Sequence, residues 1–348
     1  MMLTRSILYL CLFILLRPSL SNDEHDYFNP KFNNIAVCVS GQVSRWIPET
    51  AVKYLLEANL RYRFTFFFNL QYHTSNSSFI FSTDAHISFH PTKFVSMQQS
   101  EMFDYIHSMY GSVNNTKIAS ISYVPPRRLQ EWENDFFKRK ADRISQYSDV
   151  QHVILNFYAH QIRCVNQIEE YERLSNSTFD YVLSSREDIY YFRSVPLDYL
   201  LSHLKVPIPS EEPISSIHCD LIAKDCLQWG GMNMRWQLMT RNATEWAMKR
   251  RIEYYRELFT ADQVIYNPEQ FESAQMKFYK LRVCEFSSNV IANAVGRHII
   301  NDEICFLRPE TLDNCIPGDF NEFVQQRLCH KIHHHRTNKP PAPESRDG

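Results

Sequence analysis

Residues 179–188 constrain the fold more than any other stretch. They open with an apolar run, Phe179-Asp180-Tyr181-Val182-Leu183, and close on Arg186-Glu187-Asp188 with no glycine or proline between. Such a run reads as a buried strand of a helix-covered parallel sheet. Its charged trio is delivered at the carboxyl end, where open α/β sheets take their ligands. Side chains alternate along a strand, so Arg186 and Asp188 share one face and Glu187 takes the other. A guanidinium beside a carboxylate suits a phosphorylated ligand, because arginine grips phosphate oxygens bidentately and a carboxylate holds a bridging divalent ion. An ordinary salt-bridged strand end fits the same residues.

The rest of the pattern extends this sheet. Residues 35–40 and 64–70 are apolar strands, 118–124 is another, stopped by Pro125-Pro126, and 79–82 is short and extended. Helices are expected over 48–60, 129–147, 149–174, 197–204 and 242–258. A further helix, to about residue 281, starts at Asn267-Pro268-Glu269-Gln270, which combines a capping side chain with proline in the first turn. Residues 282–286, 295–300 and 304–307 read as extended. His152 and His160 fall on the 149–174 helix and read as structural. Strands alternating with helices make an α/β chain with a mostly parallel central sheet and helices on both faces.

The chain of 348 residues is 44% hydrophobic, enough for one large domain, assigned to residues 30–330. A net charge of -2 provides no broad basic field, which argues against nucleic-acid binding. Residues 6–16 form an apolar run too short to span a bilayer, and Ser19-Leu20-Ser21 supplies small residues for cleavage, so 1–21 reads as a signal peptide or a short anchor. No second hydrophobic span follows, so multi-span insertion is not expected. Eight cysteines lie beyond the leader, with Cys219–Cys226 and Cys305–Cys315 as the local pairings expected in an oxidising compartment. Asn76, Asn114, Asn176 and Asn242 are sequons. These features place the chain in the secretory pathway, in the Golgi or ER lumen or secreted. Residues 331–348 are His- and Pro-rich and read as a disordered tail.

With only 7 glycines in the chain, Gly41 and the pair Gly230-Gly231 are informative. Gly41 ends the first strand, and Gln42 and Arg45 follow before a helix whose amino terminus would turn N–H groups toward a ligand. The block Trp229-Gly230-Gly231-Met232-Asn233-Met234-Arg235-Trp236 pairs a flexible backbone with aromatic faces and with amide and guanidinium donors. A buried turn between two aromatic side chains is the competing account.

Taken in order, Ser40-Gly41-Gln42, the strand ending Arg186-Glu187-Asp188, Trp229-Gly230-Gly231 with Asn233 and Arg235, and Asn267-Pro268-Glu269 resemble glycosyltransferase-like proteins of the GT-A type over roughly residues 34–310. The resemblance implies a Rossmann-like nucleotide-sugar fold. It also implies an enzyme that moves a sugar from a nucleotide-sugar donor to a glycan or glycoprotein acceptor. Carried over, the strand-end role falls on Asp188 as ligand of Mn²⁺ or another divalent cation, with Glu187 as second carboxylate and Arg186 beside them. Gly41, Gln42, Arg45, Trp229, Gly230, Gly231, Asn233, Arg235 and Glu269 would contact substrate; an inverting enzyme would also need a carboxylate base, for which Glu269 and Asp302 are both available, and the choice between inverting and retaining chemistry stays open. The chain departs from the family in having no D-x-D at this strand end, so Arg186 is an alternative source of the positive charge. A catalytically inactive carbohydrate-binding or interaction protein on the same fold is the competing function.

Overall fold

The computed structural model describes residues 33–43, 46–71, 78–81, 85–88, 98–123, 148–204, 218–226, 232–233, 235–260, 268–298, 304–306 and 315–328. The leader, the expected helix over 129–147 and the tail lie outside the described residues, as do Arg45, Trp229, Gly230, Gly231 and Asp302. Among the described residues no helix is long and apolar enough to cross a membrane.

Seven strands build the main sheet: β1 (Asn34–Gln42), β2 (Arg63–Gln71), β5 (Thr116–Tyr123), β6 (Tyr181–Arg186), β8 (Leu221–Lys224), β9 (Trp236–Thr240) and β10 (Val283–Phe286). Their order is β10-β8-β9-β6-β1-β2-β5. All run parallel except β9, which is antiparallel to both β6 and β8. A second sheet pairs β7 (Ile189–Tyr191), β11 (Asn293–His298) and β12 (Ile304–Phe306), and β3 (Ser78–Phe81) forms a hairpin with β4 (Ala85–Ser88).

The alternation in β1 shows why helices cover both faces. Ile35, Val37 and Val39 enter one core, while Ala36 and Cys38 enter another. The first core packs under a helical segment, α1 (Glu49–Ala51), which continues through a π turn (Val52–Leu56) and a 3-10 turn (Glu57–Asn59), and under α2 (Gln99–Tyr110). Trp46 stacks on Tyr110 there at 5.8 Å. The second core packs under α3 (Ser148–Ser175), whose Cys164 is bonded to Cys38 of β1. Closing a loop of 126 residues is worth on the order of 4–5 kcal/mol in the chain-entropy model. Buried His160 of α3 has its pKa pushed down to about 4 by desolvation and by Arg163, so it is neutral at pH 7, as a structural residue would be.

Further along lie α4 (Leu197–Leu201), a π turn (Glu245–Lys249) running into α5 (Arg251–Thr260), α6 (Pro268–Phe278) and α7 (Asn321–Gln326). Three expectations need correction. The strand expected over 179–188 ends at Arg186, and Glu187-Asp188 form the turn that carries the chain into the second sheet. The helix after Gly41 begins only at Glu49, with three α residues and a carboxylate in its first turn, which disfavours an anion. Neither local disulfide forms. Cys219 and Cys226 flank β8, roughly 20 Å apart along an extended chain, whereas a disulfide holds its Cα atoms within about 7 Å. Cys219 is instead bonded to Cys284 on neighbouring β10, with Cα atoms 5.8 Å apart, and Cys226 to Cys315 at 4.9 Å. Cys305 is disulfide-bonded as well, so every described cysteine is oxidised.

Candidate functional site

The chain leaves β1, adds β2 and β5 on one side, then crosses back to place β6 on the other. The C-terminal ends of β1 and β6 therefore bound a topological switch point, the crevice in which open α/β sheets bind ligands. Parallel register sets Ser40 opposite Arg186, which brings the loop after Gly41 and the turn Arg186-Glu187-Asp188 to one edge. The start of antiparallel β9 reaches the same edge: the Arg186 N–H donates to the Arg235 carbonyl at 3.0 Å. Lys224 ends β8 there too.

Gly41 has φ +150°, and a Cβ on it would overlap the Glu187 carboxylate. Ser40 and Ile47, on either side of Gly41, are each tied to the turn by a backbone bond, Glu187 N–H to Ser40 O at 3.3 Å and Ile47 N–H to Glu187 O at 2.9 Å. Glu187 is buried in this turn. It lines a cavity of about 20 Å³ with Trp46 and Tyr191, which has room for a water but not a sugar.

Asp188 has no exposed surface, and its Oδ2 accepts from Arg186 Nη2 at 2.6 Å, while 22% of the Arg186 side chain reaches solvent. Burial works against the Arg186 charge, but Asp188, Glu187 and Glu269 outweigh it and hold the guanidinium above its ordinary pKa. Glu269 stands in the first turn of α6, and its carbonyl accepts the Met232 N–H at 2.9 Å, which seats that turn on the segment leading to Arg235. Burial pushes the Glu269 carboxyl up, against the pull of Arg235 and Arg186. Asn233 serves the backbone: its Nδ2 donates to Cys226 O and its Oδ1 accepts the Arg235 N–H, both at 2.9 Å. Gln42 lies at the same edge, half-buried.

Asp188 is an anchor for Arg186 as it stands. Among the described residues no three His, Cys, Asp or Glu side chains gather in a way that would hold a metal ion. Arg186 and Arg235 are the partly exposed cations described at this edge.

Two features escaped the sequence reading. The first is a buried polar network on the α3 side. Arg251 is ion-paired with Glu272, and neither has exposed surface. Gln237 of β9 donates to Glu272 at 2.6 Å and accepts from Arg251 at 3.1 Å, and Gln161 of α3 links Arg251 to Ser184 of β6. A Ser and a Gln at inward positions of otherwise apolar strands were the available signal. The second feature is Lys224, buried, with Nζ donating to the carbonyls of Cys315, at 2.6 Å, and of Asn293. It ties the second sheet and the Cys226–Cys315 clip to this edge.

Desolvation first, and the charge of Arg235 second, lower the Lys224 pKa to about 7. An unfolded lysine keeps its proton to about pH 10.4. Between these values the unfolded chain binds more protons, so this group makes stability rise with pH, and the gain is absent below pH 7. Urea midpoints at pH 7 and pH 9.5 should therefore show a more positive slope for wild type than for Lys224→Met. Equal slopes would remove Lys224 as the cause.

No protein-family model matches the chain, and neither does any curated protein. Solved structures that resemble it include the glycosyltransferase GlyE of Streptococcus pneumoniae TIGR4, with 11% identity and a TM-score of 0.35 over 74% of this chain and 46% of that one. The chain thus spans less than half of GlyE. The galactosyltransferase LgtC, in complex with donor and acceptor sugar analogues, has 12% identity and a TM-score of 0.35 over 73% of each chain. A nucleoside-diphosphate-sugar pyrophosphorylase of Vibrio cholerae RC9 has 9% identity and a TM-score of 0.33 over 84% of this chain and 100% of that one. Scores this low leave the fold assignment resting on the sheet order itself.

Proposed function

We propose that this protein transfers a sugar from a nucleoside-diphosphate donor to a hydroxyl of a glycan or glycoprotein in the lumen of the secretory pathway. The observation that carries this reading is the partly exposed Arg186 guanidinium, held by fully buried Asp188 at the switch point between β1 and β6. Transfer develops positive charge at the sugar carbon and negative charge on the leaving diphosphate. Arg186, with Arg235 beside it, stabilises that leaving group without reorganising, because Asp188 fixes the guanidinium in advance. Glu269, in the first turn of α6 and electrostatically coupled to Arg186 and Arg235, is the candidate base for the acceptor hydroxyl. Full oxidation of the described cysteines supports a lumenal setting.

The test is hydrolysis or transfer from a panel of nucleotide sugars, run with Mn²⁺ and with a chelator. Asp188→Asn keeps the shape but loses the charge that orients Arg186, and turnover should fall ~10²–10³-fold. Arg186→Lys should also lose activity, since an ammonium does not reproduce bidentate phosphate contacts. Glu187→Gln, which leaves the Arg186–Asp188 ion pair in place, should retain more activity than Asp188→Asn. Wild-type activity in chelator fits Arg186 as the cation, and activity that requires Mn²⁺ would overturn that part. Equal turnover by wild type and Asp188→Asn would take this strand end out of the mechanism. Absence of any turnover, together with no thermal stabilisation by nucleoside diphosphates, would sink the reading altogether.

A further inference from the structure

Three of the four sequons lie on described residues, and the fold gathers them. Asn114 is two residues before β5, beside the start of β2, where the Phe64 N–H donates to Asn115 O at 2.8 Å. Asn176 follows α3 directly and precedes β6. Asn242 follows the last residue of β9, which is antiparallel and ends opposite the first residue of β6, with Thr240 paired to Tyr181. Asp180 joins the last two places to the start of β1, because its backbone N–H donates to Asn34 O and its carbonyl accepts the Arg241 N–H, both at 3.0 Å. All three asparagines are exposed. They occupy the N-terminal edge of the main sheet, a strand length of roughly 20 Å from the edge that carries Arg186.

Asn176 shows how one residue serves fold and surface together. Its φ of 50° is left-handed, a conformation asparagine tolerates, and it ends α3 with the Ser177 N–H donating back to Glu172 O at 3.3 Å. That capping uses the backbone alone, which leaves the side-chain amide in solvent. Every described cysteine is oxidised, which independently points to the compartment in which sequons are modified.

We propose that Asn114, Asn176 and Asn242 carry N-linked glycans, forming a coat on the N-terminal edge of the sheet. At each, the side-chain amide nitrogen loses a proton and bonds to C1 of the reducing-end sugar of a lipid-linked oligosaccharide, and the lipid diphosphate leaves. The proposal does not depend on the activity at Arg186.

The full chain, made in a secretory eukaryotic host, is treated with an amide-cleaving glycosidase in ¹⁸O-water and mapped by peptide mass spectrometry. All three asparagines should appear as ¹⁸O-labelled aspartate. Asn114→Gln, Asn242→Gln and Thr178→Ala should each remove one glycan from the untreated protein. Thr178→Ala is chosen because it abolishes the sequon while keeping Asn176 in its left-handed turn. Thr244 is left alone because it is buried and its hydroxyl bonds Arg241 O at 2.6 Å. An unmodified asparagine at any of the three positions in secreted, disulfide-bonded protein would overturn the coat, and so would a chain that stays reduced in the cytosol.

Discussion

Replacing Gly41 by alanine should destabilise the fold by ~3 kcal/mol or more, combining backbone strain with overpacking. Two independent costs meet at this position. The φ of +150° is one that residues with a Cβ rarely adopt, and the added methyl would occupy the place of the Glu187 carboxylate. Glu187 has little freedom to retreat: it is 3% exposed, and both its backbone N–H and its carbonyl are bonded to the segment around Gly41. Urea unfolding of Gly41→Ala, Glu187→Ala and the double variant separates the two costs. In the Glu187→Ala background the overlap is gone, and Gly41→Ala should cost only the strain, about 1–3 kcal/mol. A Gly41→Ala protein as stable as wild type would mean that the loop and the turn do not meet as described.

Arg251→Met should cost about 3–5 kcal/mol at pH 7, because it leaves the Glu272 carboxylate buried without its counter-charge. Burial already pushes the Glu272 carboxyl up against the pull of Arg251. Without Arg251 it should take up a proton more readily still, so the deficit relative to wild type should shrink as pH falls from 7 to 5. Removing both charges with Arg251→Met and Glu272→Leu should recover much of the loss, since well-packed apolar replacements of buried pairs are often neutral. Guanidinium denaturation at the two pH values reads both effects. A pH-independent deficit would show that lost packing against Tyr158, whose ring lies 5.2 Å from the Arg251 guanidinium, dominates over the charge. Glu272 is one helical turn beyond Glu269, so weaker ligand binding by Arg251→Met would place this pair in support of the site.

The strands of the main sheet were legible wherever burial on both faces leaves an apolar run. That holds for β1, β2 and β6, each of which lies between two other strands and under helices or the second sheet. β9 was missed because Trp236–Thr240 is short and sits among polar residues, and it fills an antiparallel place that only its neighbours define. α2 was missed because its buried residues are only Met102, Ile106 and Tyr110, too sparse to stand out against its polar positions. The strand end Arg186-Glu187-Asp188 was visible as charges closing an apolar strand. Its division of labour was not, since an exposed guanidinium and a buried carboxylate follow from where the second sheet turns away.

Local information, by itself, determined the alternation of strands and helices, the parallel core strands and the importance of Gly41, because periodicity and glycine scarcity act within a few residues. Tertiary structure alone decided the disulfide partners, the pairing of Arg251 with Glu272 and the gathering of three sequons on one edge. Each of these depends on strand order, and chain entropy sets no preference among distant partners strong enough to be read before the sheet is built.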